Sequence, residues 1–145
     1  MSKLSMRLVL DTDVVVAAMR SPSGASAALL CAALDGQVQL LANVALMLEY
    51  EAVCMRAEHC AAACLDIRQA VMFVDALAAL AEPVESHFIW RPQLRDPSDE
   101  MVLEAAVNGQ AQAIVTFNLR DFGVAPAQFG VKTLLPRDTC RRVFK

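Results

Sequence analysis

Short apolar runs, each closed by polar or turn-forming residues, set the rhythm of this chain. Residues 6–10 form one such run and stop abruptly at Asp11, with Asp13 two positions on. Val14 to Met19 is apolar again, until Pro22 and Gly24 mark a loop. Ala25 to Leu34 predicts a helix stopped by Asp35-Gly36, with Gly36 just past its end. Residues 37–42 alternate and then turn fully apolar, which predicts a second strand. Asn43 is a good N-cap for a helix carrying Val44, Met47, Leu48 and Val53 towards a core.

A further helical stretch runs from about Cys60 to Ala81, with Leu65, Met72, Phe73, Leu77 and Leu80 at helical spacing. Asp66 and Asp75 read as solvated acids in the middle of it. Residues 83–90 predict a third strand. Asp96 as N-cap and Pro97 at the first helical position open the next helix, which ends near Asn108-Gly109. Asp99 falls at its third position, where an acid can reach back as in a capping box. Residues 112–116 and 131–135 predict strands four and five.

Strands alternating with helices imply an α/β fold, a three-layer α/β/α arrangement around a five-stranded parallel sheet with right-handed crossovers. Short, wholly apolar strands suit a sheet covered on both faces. The length of 145 residues predicts a single domain over 1–145, its residues 136–145 forming a basic C-terminal tail.

Composition changes this picture little. The chain is 57% hydrophobic and 20% charged, yet no apolar stretch reaches the roughly 20 residues of a membrane span. The N-terminal residues lack the apolar region of a secretory signal. A cytoplasmic protein with no membrane partner is therefore expected. Five cysteines in no CxxC pair argue against a disulfide framework. Cys60 and Cys64, beside His59, share a helical face as a conceivable metal site; small buried hydrophobes on an Ala-rich helix are the favoured reading. The net charge of −3 gives no global basic field, although a metal-dependent nuclease needs a concentrated acidic site and bound cations invert its local sign.

The acids fall in an order that the strands explain. Asp11 and Asp13 follow strand one, Glu49 lies on the helix after strand two, Asp96 and Asp99 open the helix after strand three, and Asn118 and Asp121 follow strand four. In an open α/β sheet, ligands bind outside the carboxyl ends of the strands. Taken singly, Asp96 and Asp99 are ordinary caps, Glu49 an ordinary helix acid and Asp121 a turn residue. Asp11 is harder to dismiss, because a charge directly after Leu8-Val-Leu10 is costly unless compensated. Clustered carboxylates raise one another's pKa, and hard divalent cations relieve the repulsion. Two such ions about 3.5–4 Å apart would stabilise attacking and leaving oxygens in phosphodiester cleavage. With only His59 and His87 in the chain, a zinc hydrolase or a His-based ribonuclease is disfavoured. Neither a P-loop nor GxGxxG is present. Thr116 stands as a supporting residue at the end of strand four, with Asp13 and Asp96. Arg20, Arg91, Arg95 and Arg120 in neighbouring loops are candidate phosphate contacts.

The stretches 8–16, Glu49 to Arg56, Asp96 to Ala106 and Ile114 to Phe122, in this order, resemble the PIN-domain family, and within it the VapC-type toxins of bacterial toxin–antitoxin systems. The resemblance covers about residues 6–136. It implies a five-stranded parallel sheet and a Mg²⁺- or Mn²⁺-dependent endoribonuclease acting on RNA. Its acidic quartet carries over to Asp11, Glu49, Asp99 and the Asn118/Asp121 region. Asp11, Glu49, Asp99 and Asn118 are thus the implied metal ligands, and Asp11, Glu49, Asp99 and Asp121 the implied catalytic set. Three residues depart from the family: Asp13 stands where Asn is usual, Asn118 where some members have the fourth acid, and Phe117 where a small or basic residue is usual. The toxin resemblance also implies a separate antitoxin chain near the site.

Two other functions compete. Asp11-Thr-Asp13 after an apolar strand mimics the nucleophile motif of haloacid-dehalogenase-type phosphatases, although the chain is short and has only three lysines. A catalytically weak PIN scaffold that binds RNA or protein is the second. The apolar helices between strands two and three further suggest a homodimer.

Overall fold

A computed structural model describes residues 5–86 and 92–145. The chain runs β1 (Met6–Leu10), α1 (Thr12–Arg20), α2 (Ala25–Leu34), β2 (Val38–Ala42), α3 (Val44–Cys54), α4 (Ala57–Ala62), α5 (Ile67–Leu80) and β3 (Ala81–Pro83). It continues with α6 (Pro97–Asn108), β4 (Ala113–Val115), α7 (Leu119–Phe122), α8 (Ala125–Gln128), β5 (Lys132–Leu134) and α9 (Pro136–Val143). The five strands form one wholly parallel sheet in the order β3-β2-β1-β4-β5. Helices flank it in a three-layer α/β/α fold, with α6 lying across β1, β2 and β4.

β1 is the central strand, and its last three residues are wholly apolar. Leu8, Val9 and Leu10 are all buried, and they pair with Ala113, Ile114 and Val115 of β4 on one side. Met6, Arg7 and Leu8 pair with Val38, Gln39 and Leu40 of β2 on the other. One hydrophobic cluster takes in these strands together with Val14 and Val15 of α1, Leu46 and Tyr50 of α3, Val102 and Leu103 of α6, and Phe122. No single helix among the described residues is long and apolar enough to cross a membrane.

The order of strands has a consequence for function. From β1 the chain moves outward to β2 and β3, then returns to the other side of β1 for β4 and β5. The topological switch point, where open α/β sheets bind their ligands, therefore lies between the carboxyl ends of β1 and β4. Asp11 and Thr116 follow directly from those two ends.

Four expectations need correction. Val44 and Leu48 of α3, expected to face the core, are exposed. The single helix expected over about 60–81 is two helices, α4 and α5, separated at Ala63–Asp66. Cys64 in this break has a φ of 57°. Asp66 is not mid-helix: its side chain accepts the Gln69 N–H at 2.8 Å while Gln69 accepts the Asp66 N–H at 3.0 Å, a capping box that starts α5. The third strand occupies Ala81–Pro83 rather than 83–90, and the stretch 87–90 lies outside the described residues, as does Arg91. Its residues are half-exposed because it is the edge strand, so they carry no apolar signature. Gly36 takes the left-handed conformation expected after α2, with φ 77°. The basic C-terminus is helical: α9 buries Pro136 and Thr139 and bonds the Cys140 thiol to the Ala25 carbonyl at 3.3 Å.

Candidate active site

Asp11 ends β1 and caps α1. Its backbone N–H still belongs to the sheet, donating to the Val115 carbonyl of β4 at 2.9 Å. Its carboxylate is held by two donors: the Thr12 N–H at 2.8 Å on Oδ1, and the Thr116 hydroxyl at 2.7 Å on Oδ2. The residue is only 8% exposed. Burial pushes its pKa up, the two hydrogen bonds oppose that, and Asp121 and Asp96 push further up by repulsion. Thr116, fully buried, also accepts the Asn118 N–H at 2.9 Å, so its hydroxyl is oriented from both sides.

Asp13 sits in the first turn of α1. Its Oδ2 accepts the Phe117 N–H at 3.1 Å and the Asn118 side-chain amide at 3.2 Å. Its other oxygen, Oδ1, is buried with no hydrogen-bond partner. Burial first, and the Asp11 charge second, raise the Asp13 pKa to about 6. Asp13 therefore ties α1 to the turn after β4, and it engages the amide of Asn118.

Asp96 caps α6 by accepting the Ser98 N–H at 2.8 Å, with Pro97 at the first helical position as expected. Asp99, half-buried one turn in, is raised to about 6, first by burial and then by Asp11, Asp96 and Asp121. The opening of α6 is fixed at this edge by Asn43. Its carbonyl oxygen caps α3 on the Leu46 N–H at 2.8 Å, and its amide donates to the Met101 carbonyl at 3.1 Å. Asp121, exposed on α7, faces the same region, since its charge raises both Asp11 and Asp99.

Five aspartates thus feel one another across the switch point, and among the described residues none of them forms an ion pair. Glu49 is half-buried on α3, immediately before Tyr50, whose buried hydroxyl donates to the Leu10 carbonyl at the end of β1. Glu49 is therefore at this edge, but the principal charges acting on Asp11, Asp13 and Asp99 are the other aspartates.

Of the arginines, Arg95 and Arg120 border a shallow cavity of about 300 Å³ that also exposes Asp121. Arg20 ends α1, about 12 Å along the helix from Thr12. Its guanidinium lies 3.5 Å from the His59 ring nitrogen, away from the aspartates.

Two contributors were not singled out from sequence. Tyr50 is the only tyrosine in the chain, and its place beside a candidate ligand was a usable signal. Glu100 takes the Leu94 N–H at 2.8 Å and the Gln93 N–H at 3.1 Å, folding the approach to α6 against its first turn. Nothing in the spacing announces that contact.

The donor set is made of oxygens, partly desolvated, mutually repelling and, among the described residues, in no ion pair. That chemistry fits a hard divalent ion. The side chains are not gathered round one point: among the described residues no group of three or more His, Cys, Asp or Glu side chains is placed to hold a metal. Residues 7–120 match a family model described as PIN domain. No curated protein sequence matches the chain.

Proposed function

The chain belongs to the PIN-domain family, and from that premise we propose that it is a metal-dependent endoribonuclease, the toxin of a bacterial toxin–antitoxin pair. The fold is nuclease-like, and PIN domains typically use divalent metal ions. The observation that carries the reading is the group of aspartates at the switch point, with Asp13 and Asp99 raised to about 6 and, among the described residues, no ion pair to neutralise them. With the family shown, the phosphatase reading of Asp11 falls away.

Asp11, Glu49 and Asp99 are the proposed ligands of Mg²⁺ or Mn²⁺, completed by Asp121 or Asn118. When bound, the ion polarises the phosphate and activates water for attack on phosphorus. Asp11 enters this role already oriented, because Thr12 and Thr116 hold its two oxygens. Asp99 would join it from the first turn of α6. Asp13 holds the β4–α7 turn, and so keeps Asn118 and Asp121 near Asp11. Arg95 and Arg120 supply phosphate contacts beside Asp121. Arg20 is not among the proposed contacts, since it is engaged at the far end of α1.

The test is cleavage of single-stranded RNA with Mg²⁺ or Mn²⁺, giving 5′-phosphate and 3′-hydroxyl ends. EDTA should abolish it and Asp11→Asn should reduce it sharply; cleavage undiminished by either one overturns the proposal. A second reading, a PIN scaffold that binds without cutting, is favoured by the ungathered ligands. Calorimetry distinguishes them: RNA affinity without divalent-ion binding supports the scaffold. For partners, the exposed Val44 and Leu48 of α3 and Met72 of α5 suit a second copy of the chain. An antitoxin that covers the carboxylates, and a cytoplasmic setting, complete the toxin reading.

A further inference from the structure

The largest departure from a purely electrostatic nucleic-acid site is apolar. A cleft of about 480 Å³ opens beside the aspartates, between α1, the start of α2, the turn after β4 and the start of α9. Ala17, Ala25, Phe117, Leu135 and Pro136 wall it, and Arg137 stands at its edge. Ser21 and Ser26 add hydroxyls to the same wall. Phe117 is the hinge between the two sites. Its backbone N–H is bonded to Asp13, while its ring is 49% exposed and borders the cleft. A half-exposed ring held by its own backbone at a carboxylate site has little value to the core, yet it presents a flat face one residue from Thr116 and Asn118.

Charge beyond the cleft has the sign a polyanion needs. The chain as a whole carries −3, but α9 exposes Arg137, Arg141 and Arg142, with Arg137 at the cleft and Arg141 one turn on along the same face. Among the described residues Arg141 alone of the three shares its charge, with Asp138 at 3.6 Å. An apolar slot with a few hydroxyls, an exposed aromatic side chain and flanking arginines is the combination by which proteins hold a base and its neighbouring phosphates in single-stranded nucleic acid.

We propose that this cleft is a nucleobase subsite, in which one base of a single-stranded RNA lies against the Phe117 ring while the adjoining phosphates run along Arg137, Arg141 and Arg142. The subsite rests on the nuclease reading above for its substrate and deepens it: it places a base next to the phosphate presented to the carboxylates. Stacking makes the site tolerant of base identity, with Ser21 and Ser26 able to hydrogen-bond a base edge.

The test uses the full chain in EDTA, so that binding is read without cleavage. Fluorescence anisotropy measures affinity for short oligo-A, oligo-U and oligo-C RNAs. Phe117→Ala should weaken binding by roughly 5- to 100-fold, and Phe117→Trp should restore it. An oligo-A series with one abasic position moved along the strand should show one position that weakens wild-type binding. That position should cause no further loss in Phe117→Ala. Unchanged affinity in Phe117→Ala overturns the subsite, and is the result expected if the cleft serves a protein partner instead. Independent, additive losses from the abasic position and Phe117→Ala overturn it as well. Wild-type cleavage with Mn²⁺ is scored separately. Absence of cleavage with Phe117-dependent binding retained removes the nuclease reading and leaves the subsite; cleavage with Phe117-independent binding does the reverse.

Discussion

β1 carries charge near both its ends, and the fold treats the two ends in opposite ways. Near its start, Arg7 meets Glu82 of β3 through two nitrogen–oxygen contacts of 2.6 and 3.2 Å, and also donates to the Gly109 carbonyl at 2.9 Å. The guanidinium is raised and the carboxyl lowered in pKa, chiefly by the hydrogen bonds between them. At its finish, Asp11, Asp13 and Asp99 are all raised, chiefly by burial. The first end is satisfied within the chain. Among the described residues the second has donors for some of its oxygens but no ion pair, and one buried Asp13 oxygen has no hydrogen-bond partner. A folded protein retains repelling, partly buried acids at a cost in stability, and that cost is most simply explained by a cation arriving from outside.

The sharpest way to break the comparison is to neutralise one end at a time. Asp11→Asn and Asp99→Asn should each lower divalent-dependent RNA cleavage by roughly 100-fold or more, above the 10–100-fold typical of residues that only support ligands. Thr116→Val should fall within that supporting range, since it strips one donor from Asp11. Steady-state cleavage assays decide both. If Glu82→Gln lowers cleavage as much as these, the two ends of β1 are not functionally distinct.

Stability should move the other way. A shift of the Asp13 carboxyl to about 6 would correspond to about 3 kcal/mol in a dry site, and its partial exposure reduces this to about 1–2 kcal/mol. Asp13→Asn should therefore stabilise the metal-free protein by that amount at pH 7 in urea unfolding. A loss of stability would mean that the hydrogen bonds to Phe117 and Asn118 outweigh the charge.

The pH dependence follows with a definite sign. Asp13 and Asp99 bind protons more tightly folded than unfolded, so their protonation favours the fold. Their contribution should weaken metal-free stability as pH rises from about 4 to about 6, by about 1 kcal/mol each after solvent screening, and level off above that. The double variant Asp13→Asn/Asp99→Asn should flatten this part of the profile. Divalent ions should raise the melting temperature more at pH 7 than at pH 5, because protons compete for the same oxygens. The smallest effect belongs to the other end: a double-mutant cycle between Arg7→Met and Glu82→Gln should give about 1 kcal/mol or less, insensitive to divalent ions.

Legibility from sequence followed burial. β1, β2 and β4 were visible because parallel strands covered on both faces are short apolar runs, and β5, although at an edge, because Val131 and Leu134-Leu135 form a short run set off by Gly130 and Pro136. β3 was not, because Ala81-Glu-Pro83 is a half-exposed edge strand that begins directly where α5 ends. The break between α4 and α5 has no glycine or proline to mark it, since Cys64 takes the positive φ itself. A signal was nevertheless present in Asp66-Ile-Arg-Gln69, whose spacing is that of a capping box. Phe117 and Asn118 stood out as departures from the family, but nothing local linked them to Asp13.

What the sequence determined alone is that Asp11 closes an apolar strand and that Asp96 and Asp99 open a helix, since capping and apolar periodicity act over a few residues. What only the tertiary structure decided is which groups these acids meet. Thr116 reaches Asp11, and Asn118 reaches Asp13, each across 105 positions of sequence. Those contacts exist because β4 returns to lie against β1, a pairing that rests on the packing of the whole sheet and leaves no trace in local spacing.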